Sequence, residues 1–314
     1  MKIAILINGS IRKFSKIEKL IQTNFKKYNH NLFVSNYAGH FKKLCREALD
    51  SQHDCFILVG GDGSLNEGVN GIIDYFKIKE SKSPNDYDWQ AISQVKIGVF
   101  AAGSGNDFIK SVDLDGSITT LISNIDQGSS RMVDVGWISY RSFENKPDVS
   151  FFINVTDIGV GGEVVKAKSK MPKWINGQLT YLFAITSTIA RYKKGRLRAS
   201  NNDFEWQGKA LSIVVANAKY FGNSLGVAPD ANVSDGMFDL VIIGDISLLE
   251  YLKNMGNLKR CQKLIHQEIS YRKVNEIKLE SLDKRVVSID MDGELLGKTP
   301  MNLKCLSKKI NFIC

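Results

Sequence analysis

The first 110 residues alternate apolar strands with amphipathic helices, and this alternation limits the fold more than any other feature of the chain. Strands are predicted at Lys2–Asn8, Asn31–Ser35, Cys55–Val59 and Lys96–Ala101, helices at Ser15–Tyr28, Phe41–Leu49, Leu65–Ile73 and from Asn106, and an irregular polar excursion at Lys77–Gln94. The strands are apolar along most of their length, which is typical of strands buried on both faces. We therefore expect a doubly wound α/β domain, a parallel sheet with helices on both sides.

In the second part of the chain, strands follow one another with no regular helix predicted between them. These strands are Arg131–Tyr140, Val149–Ile158, Lys209–Asn217, Met237–Ile243, Asn275–Glu280 and Arg285–Met291. One helical stretch, around Trp174–Tyr192, interrupts them. We expect a mainly antiparallel domain over residues 131–299, after a first domain over residues 1–130. By periodicity, the last strands, Asn302–Leu306 and Lys309–Ile313, fit either domain.

Composition limits the class of protein without choosing a function. Hydrophobic residues make up 43% and charged residues 24% of the 314 residues, as in ordinary globular proteins. The formal net charge of +9 attracts anions, including nucleotides, nucleic acids and acidic membrane surfaces. Five cysteines without a CxxC pair predict a reduced, cytoplasmic protein without a zinc site. The N-terminus does not resemble a signal peptide, and no apolar stretch reaches the roughly 18 residues of a membrane span, so we expect only peripheral membrane contact.

A glycine-rich turn follows the third predicted strand. Gly60, Gly61 and Gly63 lie within four residues, with Asp62 among them. Such turns before a helix often hold phosphate with backbone N–H groups. The sequence from Ser64 to Glu67 also fits an S-x-x-E capping box, so the glycines could equally serve only the turn into the helix.

A second turn of the same kind strengthens the case for a nucleotide site. Gly103, Ser104 and Gly105 follow the fourth strand, and Asn106 and Asp107 lead into the next helix. The carboxyl ends of parallel strands meet at one edge of the sheet, where doubly wound proteins bind ligands. Two helix N-termini and two serine hydroxyls would therefore face one crevice, which indicates nucleotide binding.

Other patterns exclude some functions. Gly293–Thr299 is one residue shorter than a Walker A loop, and Pro300 prevents a long helix from starting after it. Gly159–Gly162 and Gly103–Gly105 lack the GxGxxG spacing of a dinucleotide site. The four histidines show no metal-ligand spacing, and no nucleic-acid-binding signature is present. We expect neither a P-loop NTPase nor a standard Rossmann site, and no nucleic-acid partner.

Four motifs follow one another along the chain. They are Gly60-Gly61-Asp62-Gly63 with Ser64-Leu65-Asn66-Glu67, then Gly103-Ser104-Gly105-Asn106-Asp107-Phe108, then Ala228-Pro229-Asp230 with Ser234-Asp235-Gly236-Met237-Phe238, and finally Asp290-Met291-Asp292-Gly293-Glu294. Together they resemble the motifs of the bacterial diacylglycerol kinase-like lipid kinases, whose superfamily also holds NAD kinases and sphingosine kinases. The resemblance covers nearly the whole chain, up to about residue 305.

The resemblance implies a fold, an activity and two cofactors. The fold would be an α/β nucleotide-binding domain followed by a β-sandwich, with the last segment, from about residue 300 to 314, returning to the first domain. The activity would be phosphorylation of a lipid hydroxyl, with ATP and Mg²⁺ as cofactors. The residues implied to bind ATP are Asn8, Ser35, Gly60, Gly61, Asp62, Gly63, Ser64, Asn66, Glu67, Gly103, Ser104, Asn106 and Asp107.

The resemblance also implies catalytic and metal-binding residues. The implied Mg²⁺ ligands are the Asp235 carboxylate and the backbone carbonyls of Asn232 and Met237. The implied proton acceptor is Glu294, with Asp62, Asp292 and Asp134 as further catalytic carboxylates. In a continuous strand, Asp292 and Glu294 would lie on one face, whereas a hairpin turn at Asp292-Gly293 would separate them.

Asp62 is a distinctive residue in this set, because a carboxylate repels phosphate. In phosphoryl transfer, Mg²⁺ neutralises the phosphates and the attacking hydroxyl loses a proton, so a carboxylate has a function there. Asp62 could bind the metal ion or share a proton with Glu294. The simpler alternative is that it hydrogen-bonds only its own turn.

Two other functions stay open. An NAD kinase shares the GGDG turn, although Asn66-Glu67 and Asp292–Glu294 favour a lipid kinase. The third hypothesis is a nucleotide-binding protein with weak or no catalysis. It is suggested by Asn8–Arg12, which lacks the proline and the second glycine of the family's early loop.

One segment of the sequence is a candidate for binding the lipid substrate. The apolar stretch Leu179–Ile185 continues into Ile189–Arg198, which carries five basic residues within eight. An apolar helix beside basic residues fits acyl chains and anionic headgroups at a membrane. A core helix followed by a solvated basic loop explains the same pattern. The proposed partner is therefore a lipid at the membrane surface, and a homodimer is also compatible with the sequence.

Overall fold

The structure, a computed structural model, describes residues 1–80, 82–103, 105–169, 186–283 and 286–314. The chain divides into two compact units: Met1–Val135 together with Leu306–Cys314, and Gly136–Cys305. The first unit is an α/β structure, and the second consists mainly of antiparallel strands. The predicted fold class is therefore confirmed, including the return of the C-terminal segment to the first unit.

In the first unit, helices cover both faces of a parallel sheet. Its elements are β1 (Ile3–Asn8), α1 (Phe14–Asn24), β2 (His30–Ser35), α2 (His40–Asp50), β3 (Cys55–Gly60), α3 (Asp62–Tyr75), α4 (Trp89–Gln94), β4 (Lys96–Ala101), α5 (Asp107–Ser111) and α6 (Ile118–Gln127). The strand order is β2-β1-β3-β4, and Asn311 and Phe312 of the last strand pair beside β4. Helices α1 and α6 pack on one face, whereas α3 packs closely on Leu58 of the other.

The second unit contains two layers of antiparallel strands and two labelled helices. The elements that follow α6 are β5 (Arg131–Arg141), β6 (Pro147–Phe152), β7 (Val155–Gly159), α7 (Val160–Ser169), β8 (Gly195–Ser200), β9 (Glu205–Ala210), β10 (Ser212–Ala216), β11 (Tyr220–Phe221), β12 (Leu225–Gly226), β13 (Phe238–Ile243), α8 (Leu248–Lys259), β14 (Ile269–Val274), β15 (Glu276–Ser281), β16 (Ser288–Met291) and β17 (Glu294–Phe312). One layer runs β14-β13-β10-β7-β16, and the other includes β9-β8-β15. One apolar core lies between these layers, and a second lies between β7, β10, β13 and the helices.

The helices of the second unit correct the prediction that its strands have no regular helix between them. Helix α7 follows β7 directly. Helix α8 begins with a capping box, in which the Ser247 hydroxyl accepts the Glu250 N–H and the Glu250 carboxylate accepts the Ser247 N–H. Of the predicted helix Trp174–Tyr192, residues 186–191 are helical, and residues 174–185 lie outside the described part. None of the helices in the described part is long and apolar enough to cross a membrane.

Several predicted strands are divided or joined differently in the structure. Val149–Ile158 forms two strands because β6 pairs with β5, whereas β7 pairs with β10 and β16. Lys209–Asn217 is likewise shared between β9 and β10. The last two predicted strands are one strand, β17, and the Lys77–Gln94 excursion ends in α4. Strand β8 takes up part of the basic stretch, with Leu197 buried between its two arginines and Ala199 buried after the second.

Candidate active site

The two glycine-rich turns are in direct backbone contact. A Cβ atom on Gly103 would lie 2.4 Å from the Gly61 Cα, and one on Gly61 would lie 3.1 Å from the Gly103 Cα. The Gly60 carbonyl accepts hydrogen bonds from the N–H groups of Ala102 and Gly103, at 2.8 and 3.1 Å. Only residues without side chains allow this approach, so the glycines at the carboxyl ends of β3 and β4 build one continuous backbone surface.

Asp62 links the two turns through its side chain. It is the first residue of α3, and its Oδ1 accepts the Phe108 N–H of α5 at 3.0 Å. Asp62 therefore bonds to the other turn and not merely to its own. A carboxylate at a helix N-terminus also interacts favourably with the helix dipole.

The predicted capping box at Ser64 is wrong. Helix α3 begins at Asp62, so Ser64 already lies inside the helix, and no side chain caps it. The reason is that Gly61 is extended, with φ −108° and ψ −166°, and the helix starts at the next residue. The Glu67 carboxylate instead accepts the Phe41 N–H at the start of α2, at 3.1 Å, and thereby joins two helices.

Polar residues from neighbouring strands surround the first turn. The Asn8 side-chain amide, at the end of β1, donates to the Ser64 hydroxyl at 3.1 Å. Ser35 ends β2, and its carbonyl accepts the Gly9 N–H at 3.2 Å. Asn66 is buried and bonds to Asn70 one helical turn on. The structure thus brings the predicted nucleotide-binding residues of the first turn to one edge of the sheet.

The second turn carries a buried acceptor. Asn106 has φ +53°, its amide donates to the Gly103 carbonyl at 3.0 Å, and its Oδ1 has no hydrogen-bond partner among the described residues. An enclosed acceptor next to a glycine cradle fits a ligand that can donate a hydrogen bond. Asp107 is 3% exposed, with the Lys110 ammonium 3.7 Å away. Ser104 lies outside the described residues.

The late motif is a hairpin turn, so of the two alternatives that the sequence offers, the continuous strand with Asp292 and Glu294 on one face does not form. Asp292 and Gly293 have φ values of +51° and +86°, and Met291 pairs with Glu294 across the turn. The Asp292 Oδ1 accepts the Val155 N–H at 2.8 Å, so this carboxylate is fixed to β7. Glu294 opens β17 and is exposed. Asp-Gly readily adopts two positive φ angles, and this preference prevails over strand alternation.

Asp134 is a fully buried carboxylate of the first unit. Its side chain is 0% exposed, and its Oδ1 accepts the Lys308 N–H at 2.7 Å. Lys308 has φ +52° near the end of the last strand. The carboxylate therefore satisfies a backbone donor where the chain bends back into the first unit, which is a structural function whatever else it does.

The residues implied to bind Mg²⁺ do not form an open metal site. One Asp235 oxygen accepts the Met237 N–H at 3.0 Å, and the other lies 2.8 Å from the Lys273 ammonium. The same ammonium is 2.7 Å from Asp239, a buried carboxylate. Asn232 turns its side-chain oxygen to the Ser234 N–H. A metal ion at Asp235 would have to displace the ammonium, and no cluster of three acidic, histidine or cysteine ligands occurs among the described residues.

The second unit also contains a cleft that the sequence motifs do not reveal. It has a volume of about 380 Å³ and lies among α7, residues 186–191 and β16. Lys166 and Arg191 line it, and the Lys166 ammonium lies 2.7 Å from Glu163 and 2.8 Å from the Ser288 hydroxyl. Arg191 of the predicted helix Trp174–Tyr192 was the available signal, whereas the position of Lys166 depends on its contact with the distant strand β16.

Two family profiles match the chain in series. Residues 2–138 match the diacylglycerol kinase catalytic domain. Residues 154–314 match the YegS C-terminal NAD kinase beta sandwich-like domain. Together the two profiles cover both structural units.

Relatives and solved structures agree with these matches. Diacylglycerol kinases from Staphylococcus epidermidis RP62A and Staphylococcus aureus RF122 are each 27% identical, covering 94% of this chain and 85% of theirs. The structure of a diacylglycerol kinase from Bacillus anthracis Sterne shares the fold with a TM-score of 0.66 at 17% identity, covering 99% of this chain and 96% of that one. A further structure from that organism reaches 0.72 at 18% identity, covering 99% and 97%. The chain belongs to the diacylglycerol kinase-like family of kinases, with a diacylglycerol kinase catalytic domain and a YegS-type C-terminal domain.

Proposed function

We propose that this protein transfers the γ-phosphoryl group of ATP to a hydroxyl group of a lipid at the membrane surface. The observation that carries the proposal is the backbone contact between Gly61 and Gly103, with Asp62 bonded across it to Phe108. A site that only binds phosphate gains nothing from a carboxylate, whereas phosphoryl transfer uses one near the reacting groups. Membership of a kinase family supports this choice.

The first unit would bind the nucleotide. Backbone N–H groups of the turns and the N-terminus of α3 would hold the phosphates. The side chains proposed to complete the pocket are those of Asn8, Ser35, Ser64, Ser104 and Asn106. Asn66, Glu67 and Asp107 would support the turns, because their side chains already interact with neighbouring residues of the protein. Bound ATP supplies the electrophilic phosphoryl group.

The carboxylates would have different roles. Glu294 is proposed to accept the proton of the lipid hydroxyl, since it is exposed and an incoming substrate can reach it. Asp292 and Asp134 each bond to a backbone N–H, so they would contribute fixed negative charge. Asp62 keeps one oxygen on Phe108, and its other oxygen would face Mg²⁺ that arrives with ATP. Asn232, Asp235 and Met237 would hold no metal ion, because Lys273 pairs with the carboxylate there.

The second unit would bind the lipid. The cleft of about 380 Å³ carries Lys166, which pairs with Glu163, and Arg191, whose positive charge suits an anionic membrane surface. The formal net charge of +9 would add a general attraction to such a surface. We propose a cytoplasmic protein with peripheral membrane contact, and a homodimer remains an expectation from the sequence.

A substrate panel tests the proposed function. The protein is incubated with γ-labelled ATP and, separately, with diacylglycerol, sphingosine, a total lipid extract and NAD. The proposal predicts label in a lipid and none in NAD. Label in NAD alone would establish an NAD kinase. ATP binding in calorimetry without transfer to any acceptor would indicate a nucleotide-binding protein without catalysis.

A further inference from the structure

A small cavity in the second unit contains a buried carboxylate that the proposed chemistry does not use. The carboxylate belongs to Asp157 of β7 and is 3% exposed. The cavity has a volume of about 40 Å³, and its walls include Ser212 and the apolar side chains of Val164, Ile189 and Ile243. We call it the Asp157 cavity.

The two oxygens of this carboxylate have different surroundings. Oδ2 accepts the Ser212 hydroxyl at 2.6 Å, whereas Oδ1 is enclosed and has no hydrogen-bond partner in the part of the chain that the structure describes. Burial raises the pKa of Asp157 to about 6, although the Ser212 hydroxyl opposes the rise, and so does the Gly161 N–H, which lies beside the carboxylate without an aligned hydrogen bond to Oδ1. An enclosed, unpaired carboxylate oxygen is unfavourable. A ligand that donates a hydrogen bond to Oδ1 would remove this penalty.

The size of the cavity limits what can enter. A single water needs about 10–15 Å³ by this measure, so the cavity takes a group of about two or three heavy atoms. It is too small for a phosphoryl group with its nucleotide. Its apolar wall suits the carbon atoms next to a single donor.

The position of the cavity connects it with the lipid cleft. Val164 of α7 and Ile189 of residues 186–191 form part of its wall. Lys166 and Arg191, from the same two helical segments, line the cleft of about 380 Å³. A lipid in the cleft would therefore lie next to the segments that close the Asp157 cavity.

We propose that the Asp157 cavity binds a hydrogen-bond donor of the lipid, a hydroxyl or an ammonium other than the group that is phosphorylated, and so selects lipids that carry one. This inference rests on the proposed lipid kinase function. The donor bonds to Oδ1, and the neighbouring carbons contact Val164, Ile189 and Ile243. A lipid without the donor leaves Oδ1 unpaired and binds more weakly.

The test measures binding of three probes with one chain length: octylamine, octanol and methyl octyl ether, by calorimetry without ATP. A hydrogen bond to a charged group changes affinity by about tenfold or more. Wild-type protein should therefore bind the amine and the alcohol at least about tenfold more tightly than the ether. Asp157→Asn should lose most of the preference for the amine. Asp203→Asn, the same change at an exposed carboxylate outside the cavity lining, is the matched control and should keep the preference.

Measuring the binding of the same probes to wild-type protein at lower pH provides a second test. The preference for octylamine should fall as Asp157 is protonated around pH 6, and Asp157→Asn should show no such change. Tyr251 of α8 lines the cavity, Asp290 of β16 lies opposite Asp157, and α7, which forms part of the wall, carries the Glu163–Lys166 pair on the side of the cleft. If Asp157→Asn does not fold, the pH dependence of probe binding to wild-type protein tests the inference without the variant.

Three results would overturn the inference: equal binding of the three probes, no binding of any of them, or a preference that is unchanged in folded Asp157→Asn. Transfer of phosphate to a total lipid extract by wild-type protein is measured in parallel. Transfer without a donor preference removes the cavity's role and leaves the kinase function standing. A donor preference without transfer to any lipid contradicts the kinase function, and with it the selection of a substrate.

Discussion

Replacing Gly103 by alanine should force the two glycine turns apart. The new Cβ would lie 2.4 Å from the Gly61 Cα and 2.9 Å from the Asn106 Oδ1. Carbon atoms that are not bonded pack at about 3.5–4.0 Å, so one turn must move by about 1 Å. A side chain could rotate away, but the Gly61 Cα belongs to the backbone between β3 and α3. The whole turn therefore has to shift.

The expected cost follows from this displacement. Overpacking of a tight contact costs about 1–3 kcal/mol of the free energy of unfolding. A displacement of about 1 Å at a reacting centre lowers a rate by on the order of 100-fold. Denaturant unfolding, calorimetric ATP titration and initial rates of transfer measure the three effects on Gly103→Ala. ATP affinity should fall together with the rate.

Gly256→Ala is the matched control, because it adds the same methyl group where there is space. At Gly256, in α8, a Cβ would lie 3.5 Å from the nearest atom of Arg260. Alanine should stabilise this helix by up to about 1 kcal/mol and leave ATP binding unchanged. If Gly103→Ala binds ATP like wild type and loses less than about 0.5 kcal/mol, the two turns do not form one site.

Three further predictions concern single side chains. Glu294→Gln should lower turnover by about 100-fold or more while ATP binding in calorimetry is retained, and full activity would remove Glu294 from the role of base. The folded-state pKa of Asp157 is raised, so its contribution to stability is present below about pH 4 and is lost as the pH rises through about 6. In denaturant unfolding at a series of pH values, the free energy of unfolding of wild type should fall by about 3 kcal/mol over this range, and that of Asp157→Asn should not; a variant with the wild-type pH profile would contradict the assignment. Lys273→Met leaves the buried Asp239 without its ammonium and should cost about 1–3 kcal/mol at neutral pH; a stability equal to wild type would show that the ion pair contributes nothing.

The sheet of the first unit was predictable because local sequence determines it. Continuous apolar runs such as Cys55–Val59 have no polar face, so they predict central parallel strands, and glycines at their ends predict the turns. The bond from Asp62 to Phe108 was not predictable, because it joins residues 46 positions apart. The sequence places a carboxylate in the turn but does not specify its partner.

The incorrect predictions have a common physical origin, in that a local pattern had two stable solutions. The spacing of Ser64 and Glu67 fits the N-terminal cap of a helix, but α3 starts two residues earlier, at Asp62, because Gly61 is extended. Asp292-Gly293 fits both a strand and a hairpin, and the turn preference decides. In the second unit, the chain from Val149 to Ile158 serves two different strand partners, so its division depends on tertiary pairing. Asp157 belongs to none of the sequence motifs, and neither its burial nor its cavity was predicted from the sequence.

Transfer of the γ-phosphoryl group to lipid, measured for wild-type protein and Asp62→Asn side by side, tests the central claim most directly. Asparagine can still accept the Phe108 N–H, so the variant should keep its melting temperature and its contact between the turns. The account predicts that wild type moves label from γ-labelled ATP into the organic phase of a total lipid extract, and that Asp62→Asn does so at least about 100-fold more slowly. A folded Asp62→Asn that labels lipid at the wild-type rate, or a wild type that labels no lipid, would contradict it.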